Sequence, residues 1–252
     1  MRIFYNGSLE LRLNFRDIFS KVLNYVYSVP FLRDLPIRFI DVNGLKYYAR
    51  FQDLWRFIKP FEPLTHEFLI KNAKESDVFL DIGAHVGIYS IRLAPKVSKV
   101  IALEPEPKNY SFLYKNILVN NLSNKVIPLP IAASDKDGYA DLCIKASSGA
   151  HTLEDSLNCK RKTKIITLTI DTLLRILKIE KVNMIKIDVE GHEARVINGM
   201  HRLLSYNPPR VLVIEIRKRN LYLLKMLAEL GYNIVKLDCW DSGCNYGFYL
   251  ME

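Results

Sequence analysis

Val78 to Ser90 reads V-F-L-D-I-G-A-H-V-G-I-Y-S. Residues of buried-strand character run from Val78 into Asp81 and Gly83, and a helical pattern begins near His85. A parallel strand that feeds a glycine turn and a helix N-terminus is a cofactor cradle, because the turn brings a ligand to the positive end of the helix. A dinucleotide requires G-x-G-x-x-G, whose second glycine lets backbone approach the pyrophosphate. The spacing here is Asp81-x-Gly83-x-x-x-Gly87, with bulky His85 where that second glycine would stand. Asp81 places a carboxylate at the mouth, which repels a pyrophosphate and suits a cationic ligand. S-adenosylmethionine carries a sulfonium, an ammonium and a carboxylate but no phosphate, so a carboxylate beside a helix N-terminus fits its methionine end.

The chain beyond this stretch supplies the rest of an α/β fold. Lys99 to Leu103 is a second buried strand, and Glu104 follows it, 21 residues after Gly83. In nucleotide-binding α/β folds an acid near this spacing takes the ribose hydroxyls. Pro107 opens a helix that continues over Asn109 to Asn120, and Lys125 to Leu129 is a third strand. Small residues in Ala132-Ala133-Ser134-Asp135 leave room for a flat adenine ring, with Asp135 at its rim. Gly138 to Ile144 and Thr163 to Thr169 read as further strands around a polar loop, Lys145 to Lys162, which is either an active-site lid or an insertion. A helix over Ile170 to Lys178 and a strand over Asn183 to Val189 follow. Then come a helix over Ala194 to Tyr206, a strand over Arg210 to Ile216 and a helix over Leu221 to Leu230. Asn233 to Leu237 and Phe248 to Met251 are the last strands. Alternating strands and helices imply a mostly parallel sheet covered on both faces.

Ahead of this domain, Asn14 to Tyr27 carries apolar residues at Phe15, Ile18, Phe19, Val22, Leu23 and Val26, the stripe of an amphipathic helix. Packing on the main domain is the plain reading, and peripheral contact with a membrane surface the alternative. Ile37 to Phe51 reads as two strands joined at Asn43-Gly44, a type I′ hairpin turn. Residues 1–60 thus form a helix-and-hairpin cap, and residues 61–252 the main domain.

Composition narrows the class. The chain has 252 residues, 49% hydrophobic and 25% charged, which describes a globular protein with a full core. No run approaches the roughly 20 apolar residues of a membrane helix, and the N-terminus lacks a signal-peptide layout, so a cytoplasmic address is expected. Cys143, Cys159, Cys239 and Cys244 have no metal-ligand spacing. Reduced thiols are expected, although Cys239 and Cys244 are close enough in sequence to bridge. A net charge of +9 favours an acidic partner such as nucleic acid, anionic lipid or an anionic sugar.

Four segments in this order, D-I-G-A-H-V-G-I-Y-S, A-L-E-P-E, A-A-S-D-K-D-G and I-K-I-D-V-E-G-H-E, are similar to the FkbM family of S-adenosylmethionine-dependent methyltransferases. The resemblance spans roughly Glu62 to Glu215 and is most specific in the last segment. It implies a Rossmann-like class I methyltransferase fold, a seven-stranded sheet whose last strand is antiparallel, and O-methylation of a sugar, a glycan or lipid headgroup, or a natural product. It also implies that Asp81, Gly83 and Gly87 hold the methionine part of S-adenosylmethionine, with Ala84 and His85 of the same turn among the cofactor-binding candidates. Glu104 and Pro105 would meet the ribose, and Ala133, Ser134 and Asp135 the adenine side. His85 departs from the asparagine common in that turn. Glu62 and Thr65 lie in what resembles the family's approach segment, near the cofactor.

Methyl transfer to an alcohol needs alignment and a base for one proton. In this topology the carboxyl ends of the first and fourth strands meet at the ligand crevice. Asp188, Glu190, His192 and Lys186 are therefore the catalytic candidates, with Asp188 also beside the cofactor. His192 has the intrinsic pKa of a general base, oriented by Asp188 or Glu190; a purely structural hydrogen bond at the start of the next helix is the competing role. Lys186 and Asp188 share a strand face and should pair, since a buried lysine is otherwise costly. Asp188 and Glu215 alone make an incomplete set for a hard cation, so metal-independent chemistry is expected. The alternatives are an RNA methyltransferase that uses the basic surface and a non-catalytic cofactor-binding protein. Asn207-Pro208-Pro209 precedes the fifth strand where amino-methylating enzymes carry N-P-P after the fourth, and a lysine-aspartate-lysine-glutamate tetrad is not apparent.

Overall fold

The computed structural model describes residues 25, 29–41, 44–58, 61–154, 159 and 161–251. The stripe at Asn14 to Tyr27 lies outside them except for Tyr25, which is helical. After a short helix α1 (Pro30–Arg33), strands β1 (Pro36–Ile40) and β2 (Lys46–Arg50) pair antiparallel as the sequence implies. Gly44 takes φ +80°; Asn43, its partner in the expected turn, is outside the described residues. Helices α2 (Trp55–Ile58) and α3 (Pro63–Asn72) lead to β3 (Val78–Ile82). The helical pattern expected from His85 begins later, at α4 (Ile88–Leu93), because Gly83, His85 and Gly87 all take positive φ. Then follow β4 (Lys99–Leu103), α5 (Pro107–Val119), β5 (Val126–Leu129), β6 (Ile131–Ala133), β7 (Gly138–Cys143) and β8 (Lys162–Leu168). The last part comprises α6 (Ile170–Leu177), β9 (Met184–Ile187), α7 (Glu193–Asn198), α8 (His201–Tyr206), β10 (Val211–Arg217), α9 (Tyr222–Glu229), β11 (Asn233–Cys239) and β12 (Gly243–Tyr249).

Seven strands form one sheet in the order β11-β12-β10-β9-β3-β4-β5, parallel except for β12, which runs antiparallel between β10 and β11. This is the expected α/β, Rossmann-like class I methyltransferase architecture. Period-two alternation divides each central strand between two cores. Leu80, Ile82, Ile185, Ile187, Leu212 and Ile214 pack on one side. Phe79, Met184, Val211 and Val213 pack on the other, with Tyr47, Ala49 and Phe57 of the N-terminal section. The hairpin therefore shares a core with the main domain; Asn116 and Asn120 of α5 also hydrogen-bond the backbone of Tyr48 and Lys46.

The strands expected over Gly138 to Ile144 and Thr163 to Thr169 are present, and with β6 they make a separate three-stranded sheet, β6-β8-β7. Two local expectations need correction. The helix expected over Ala194 to Tyr206 is two helices broken at Gly199, where a Cβ would collide with the Ser134 carbonyl. The expected free thiols are paired, Cys143 with Cys159 and Cys239 with Cys244. No helix among the described residues is long and apolar enough to cross a membrane.

Candidate active site

The carboxyl ends of β3, β4, β9 and β10 open on one cavity of about 270 Å³. Its floor follows from strand register. Asp81 pairs with Lys186, and Val213 with Lys186, so Glu215 comes level with Asp188. Alternation then turns Asp81, Lys186, Asp188 and Glu215 to the same sheet face.

Gly83 makes the cradle. Its N–H and that of Ala84 donate to the Leu103 carbonyl at 3.0 and 2.9 Å, and a Cβ on Gly83 would run into the Asp188 carbonyl. With φ at +82°, alanine here is expected to cost about 1–3 kcal/mol in backbone strain alone. Because backbone is the obstacle, Gly83→Ala must also displace Asp188. Thermal melts and calorimetry with S-adenosylhomocysteine should show lower stability and at least about tenfold weaker binding; unchanged binding would contradict this account of the turn.

Glu104 lies at the far end of the cavity, at the tip of β4. Its Oε2 accepts from His85 N–H at 2.8 Å and its Oε1 from Glu106 N–H at 2.9 Å, so each oxygen keeps acceptor capacity for a hydroxyl. Burial pushes its pKa up to about 7 against those donors. Pro105, Ala133 and the apolar Leu103, Ile131 and Leu142 complete an adenosine-sized end. The stretch around Ser148 covers it: Ser148 donates to Asp53, sits 3.2 Å from His85 Nε2, and its carbonyl accepts from Asn109.

At the opposite end Lys186 donates to Asp188 at 2.9 Å and lies 4.6 Å from the Tyr89 ring centre. Burial opposes its charge, but Asp188, Glu62 and Asp81 push its pKa up. For Asp188, burial acts upward, but Lys186 and a hydrogen bond from Glu215 hold it well below the carboxylate range. Glu215 is the counterpart. Burial and the Asp188 charge push it up to about 10, so it is a proton donor to Asp188 at neutral pH. Glu190 is pushed up to about 7 by burial and Asp188, with Arg217 acting in the opposite direction. Glu62 accepts from Tyr89 at 2.5 Å and is raised by burial.

Among the described residues, Glu62, His85 and Glu190 are three of the five non-glycine residues with positive φ, and all three line the cavity. Such strain persists where surroundings over-determine it, most often at functional sites. Around Glu190, Thr152 donates to its carbonyl at 2.9 Å, Arg219 to the Gly191 carbonyl at 2.9 Å, and Gly191 N–H to Glu193 at 2.6 Å.

The cavity gathers Glu62, Gly83, Ala84, His85, Glu104, Pro105, Ala133, Lys186, Asp188, Glu190 and His192 from the candidates read in the sequence. Others lie elsewhere. Asp81 is 1% exposed beneath the floor, where it accepts from Ser90 at 2.6 Å; it supports Lys186 and is not a carboxylate at the mouth. Thr65 faces β12, its Oγ1 accepting from Asn245 at 2.9 Å. Gly87 caps α4 with φ +88°, and Asp135 pairs with Arg195 outside the cavity at 3.0 Å. Ser134 lies behind His192, not against an adenine site.

His192 differs from its expected role as base. Its Nδ1 lies 2.8 Å from a Glu154 carboxylate oxygen and its Nε2 2.9 Å from Ser134 Oγ. Both ring nitrogens are thus engaged, Nδ1 by a carboxylate that accepts its proton and Nε2 by a hydroxyl that can donate or accept according to the tautomer. Burial lowers its pKa despite Glu154. His192→Ala should therefore weaken S-adenosylhomocysteine binding through the covering segment while the pH profile of methyl transfer keeps its shape; loss of a pH limb would restore His192 as base.

The structure also adds residues that spacing did not reveal. Tyr89, Trp55, Arg56, Phe61, Arg217 and Trp240 all line the cavity. Of these, Tyr89 lies within the opening stretch, Phe61 and Arg217 adjoin segments already singled out, and Trp55, Arg56 and Trp240 come from elsewhere in the chain. Glu190 completes a set with Asp188 and Glu215 whose oxygens lie within 4.8 Å of one another, the third carboxylate that sequence reading lacked for a cation. Lys186 and Arg217 already neutralise two of the three.

Residues 81–239 match the family described as the methyltransferase FkbM domain. The chain is 30% identical over 210 residues to the hexuronic acid methyltransferase AglP of Haloferax volcanii, covering 79% of this chain and 83% of that protein. It is 23% identical to methyltransferase sdnD of Sordaria araneosa over 64% of this chain and 74% of that one. A crystal structure of methyltransferase FkbM from Methylobacillus flagellatus shares the fold, with a TM-score of 0.52 at 21% identity. That alignment covers 70% of this chain and 44% of the solved one.

Proposed function

We propose, because this chain belongs to the FkbM methyltransferase family and is an S-adenosylmethionine-dependent methyltransferase, that it O-methylates a hydroxyl of a sugar-containing acceptor at the Glu190 end of its cavity. The observation that carries the reading is the polarity of that one cavity. A ribose-competent Glu104 stands at one end, and a carboxylate with pKa near neutrality stands at the other. The cradle fits S-adenosylmethionine. Gly83 lets the turn pack directly against the Asp188 backbone, which brings β3 and β9 together at the cavity, and the acids around Lys186 suit a cationic group. That cofactor supplies an electrophilic methyl carbon on a sulfonium.

The chain's own residues orient and deprotonate. Glu104 holds the ribose end, with His85 and Glu106 N–H groups fixing its carboxylate. Asp188, kept ionised by Lys186, presents negative charge where the cationic centre belongs. Glu190 Oε1 takes the acceptor's hydroxyl proton while Arg217 holds Oε2. A pKa of about 7 leaves Glu190 about half ionised at neutral pH and still basic enough to accept that proton. The segment carrying Ser148, His151 and Thr152 shields the reacting groups from water.

A sugar acceptor is favoured by the relative that acts on hexuronic acid. RNA, which the net charge of +9 suits, is the alternative acceptor that the following experiment separates. Incubation with methyl-labelled cofactor, followed by separation of glycan, polar lipid and RNA fractions, tests the reading. Label in the glycan or lipid fraction is expected, and label in RNA alone would overturn it. A cytosolic site of action fits a chain that uses this donor.

A further inference from the structure

Three cations line the cavity besides its histidines: Arg56, Lys186 and Arg217. Lys186 is committed to Asp188 and Arg217 to Glu190, both at hydrogen-bond distance. Arg56 is different. Among the described residues its one carboxylate partner is Asp53, 3.9 Å from Nε, and that buried Nε has no hydrogen-bond partner. The side chain is 17% exposed. A guanidinium so desolvated is stable in one place only if something fixes it and something else completes its donors.

Aromatic rings do the fixing. The rings of Trp55 and Phe61 meet edge to face at 5.2 Å and 84°. Arg56 sits in that corner, its Cζ 4.8 Å from the Trp55 centroid and 4.6 Å from that of Phe61. Stacking holds the guanidinium plane, and among the described residues Nη1 and Nη2 have no hydrogen-bond partner, so the terminal edge keeps its donors. The covering segment meets Arg56 at Gly149, where a Cβ would strike the guanidinium nitrogens. The same charge acts on Glu62, Asp188 and Glu190, which places it within electrostatic reach of the acceptor end. Across the opening stands Trp240, 41% exposed, on a turn closed by the Cys239–Cys244 disulfide and by the Trp240 N–H to Gly243 carbonyl bond at 2.8 Å.

We propose that Arg56 is the acceptor-specificity residue, its guanidinium binding a carboxylate on an acidic sugar that lies against the aromatic rings of the opening. The proposal rests on the methyl-transfer reading of the cavity. One planar cation with free N–H edges matches a carboxylate bidentately. A dianionic phosphate is a worse occupant, because Asp188 and Glu190 repel the second charge. The hydroxyl that is methylated is then a different group of the same sugar, presented to Glu190 while the carboxylate is held at Arg56. Neutral sugars lose the anchor and leave the buried guanidinium unpaired, so discrimination is built into the free site.

The test compares 4-nitrophenyl β-D-glucuronide with 4-nitrophenyl β-D-glucoside, binding to the full chain saturated with S-adenosylhomocysteine. Calorimetry is expected to show the glucuronide bound about 10- to 100-fold more tightly, the range of a charge-assisted pair. Arg56→Gln should bring the ratio near one. Gly149→Ala, which keeps the charge but pushes the guanidinium aside, should lower it several-fold and carries the test if Arg56→Gln does not fold. Equal binding of the two glycosides, binding of neither, or a preference that survives both variants would overturn the proposal. Failure of S-adenosylhomocysteine to bind would instead overturn the methyl-transfer reading beneath it.

Discussion

Glu190→Gln is expected to lower kcat by about 100- to 10,000-fold, the range for loss of a general base. The amide keeps the shape and the contact with Arg217 but cannot take a proton. S-adenosylhomocysteine affinity should stay within about threefold, because the residue faces the acceptor and not the ribose end. The pH profile gives the sharper reading. The base works in its ionised form, so in the wild type kcat/KM should rise with pH up to about 7 and then level. In Glu190→Gln that limb should vanish. A variant that keeps both the limb and the rate would move the base elsewhere in the crevice.

Lys186→Met should be the most damaging change to stability. Lys186 is 2% exposed and serves several carboxylates at once, being hydrogen-bonded to Asp188 and close in charge to Glu62 and Asp81. Deleting one partner of a buried ion pair typically costs about 3–5 kcal/mol, because the remaining charge is left uncompensated. Its expected pH dependence has a definite sign. Without the cation the carboxylates take up protons more readily, so the deficit relative to wild type is largest at high pH and shrinks as pH falls. Denaturant melts between about pH 5 and pH 8 measure this. A deficit below about 1 kcal/mol throughout would mean that the acids are already protonated in the wild type.

Both variants act on a site that was only partly readable in the chain. The glycine turn, the acid after β4 and the Lys186–Asp188 pair follow from local rules: a strand that ends in glycine, the spacing to the next strand tip, and a two-residue strand period. Those rules say which side chains share a face. They do not say what lies on the neighbouring strand. Asp81 was read as a ligand carboxylate because it ends a buried run beside the turn; the register with β9 places it against Lys186 and below the cavity. His192 was read as a base from its intrinsic pKa, and Glu154 and Ser134, 38 and 58 residues away in sequence, hold both its nitrogens.

Glu190 reverses the case. On sequence it was one of several acids; in the structure burial and the Asp188 charge push its pKa up to about 7 against Arg217. Arg56 gave no local signal, because its role depends on Trp55 and Phe61 forming a corner and on Gly149 arriving from a segment more than 90 residues later. The helix break at Gly199 and the separate β6-β8-β7 sheet were likewise hidden, since a contact with Ser134 and the pairing of distant strands decide them.

The sequence by itself determined the alternation of strand and helix, the glycine turn after β3, the acid at the tip of β4 and the family to which the chain belongs. These depend on periodicity, on turn chemistry and on spacing along one chain segment, all of which are local. Tertiary structure alone decided which acid is ionised, which is protonated and which stands between, and where the stacked cation faces the acceptor. Those properties arise from burial and from charges brought together by strand order and register, and such interactions depend on distance in space.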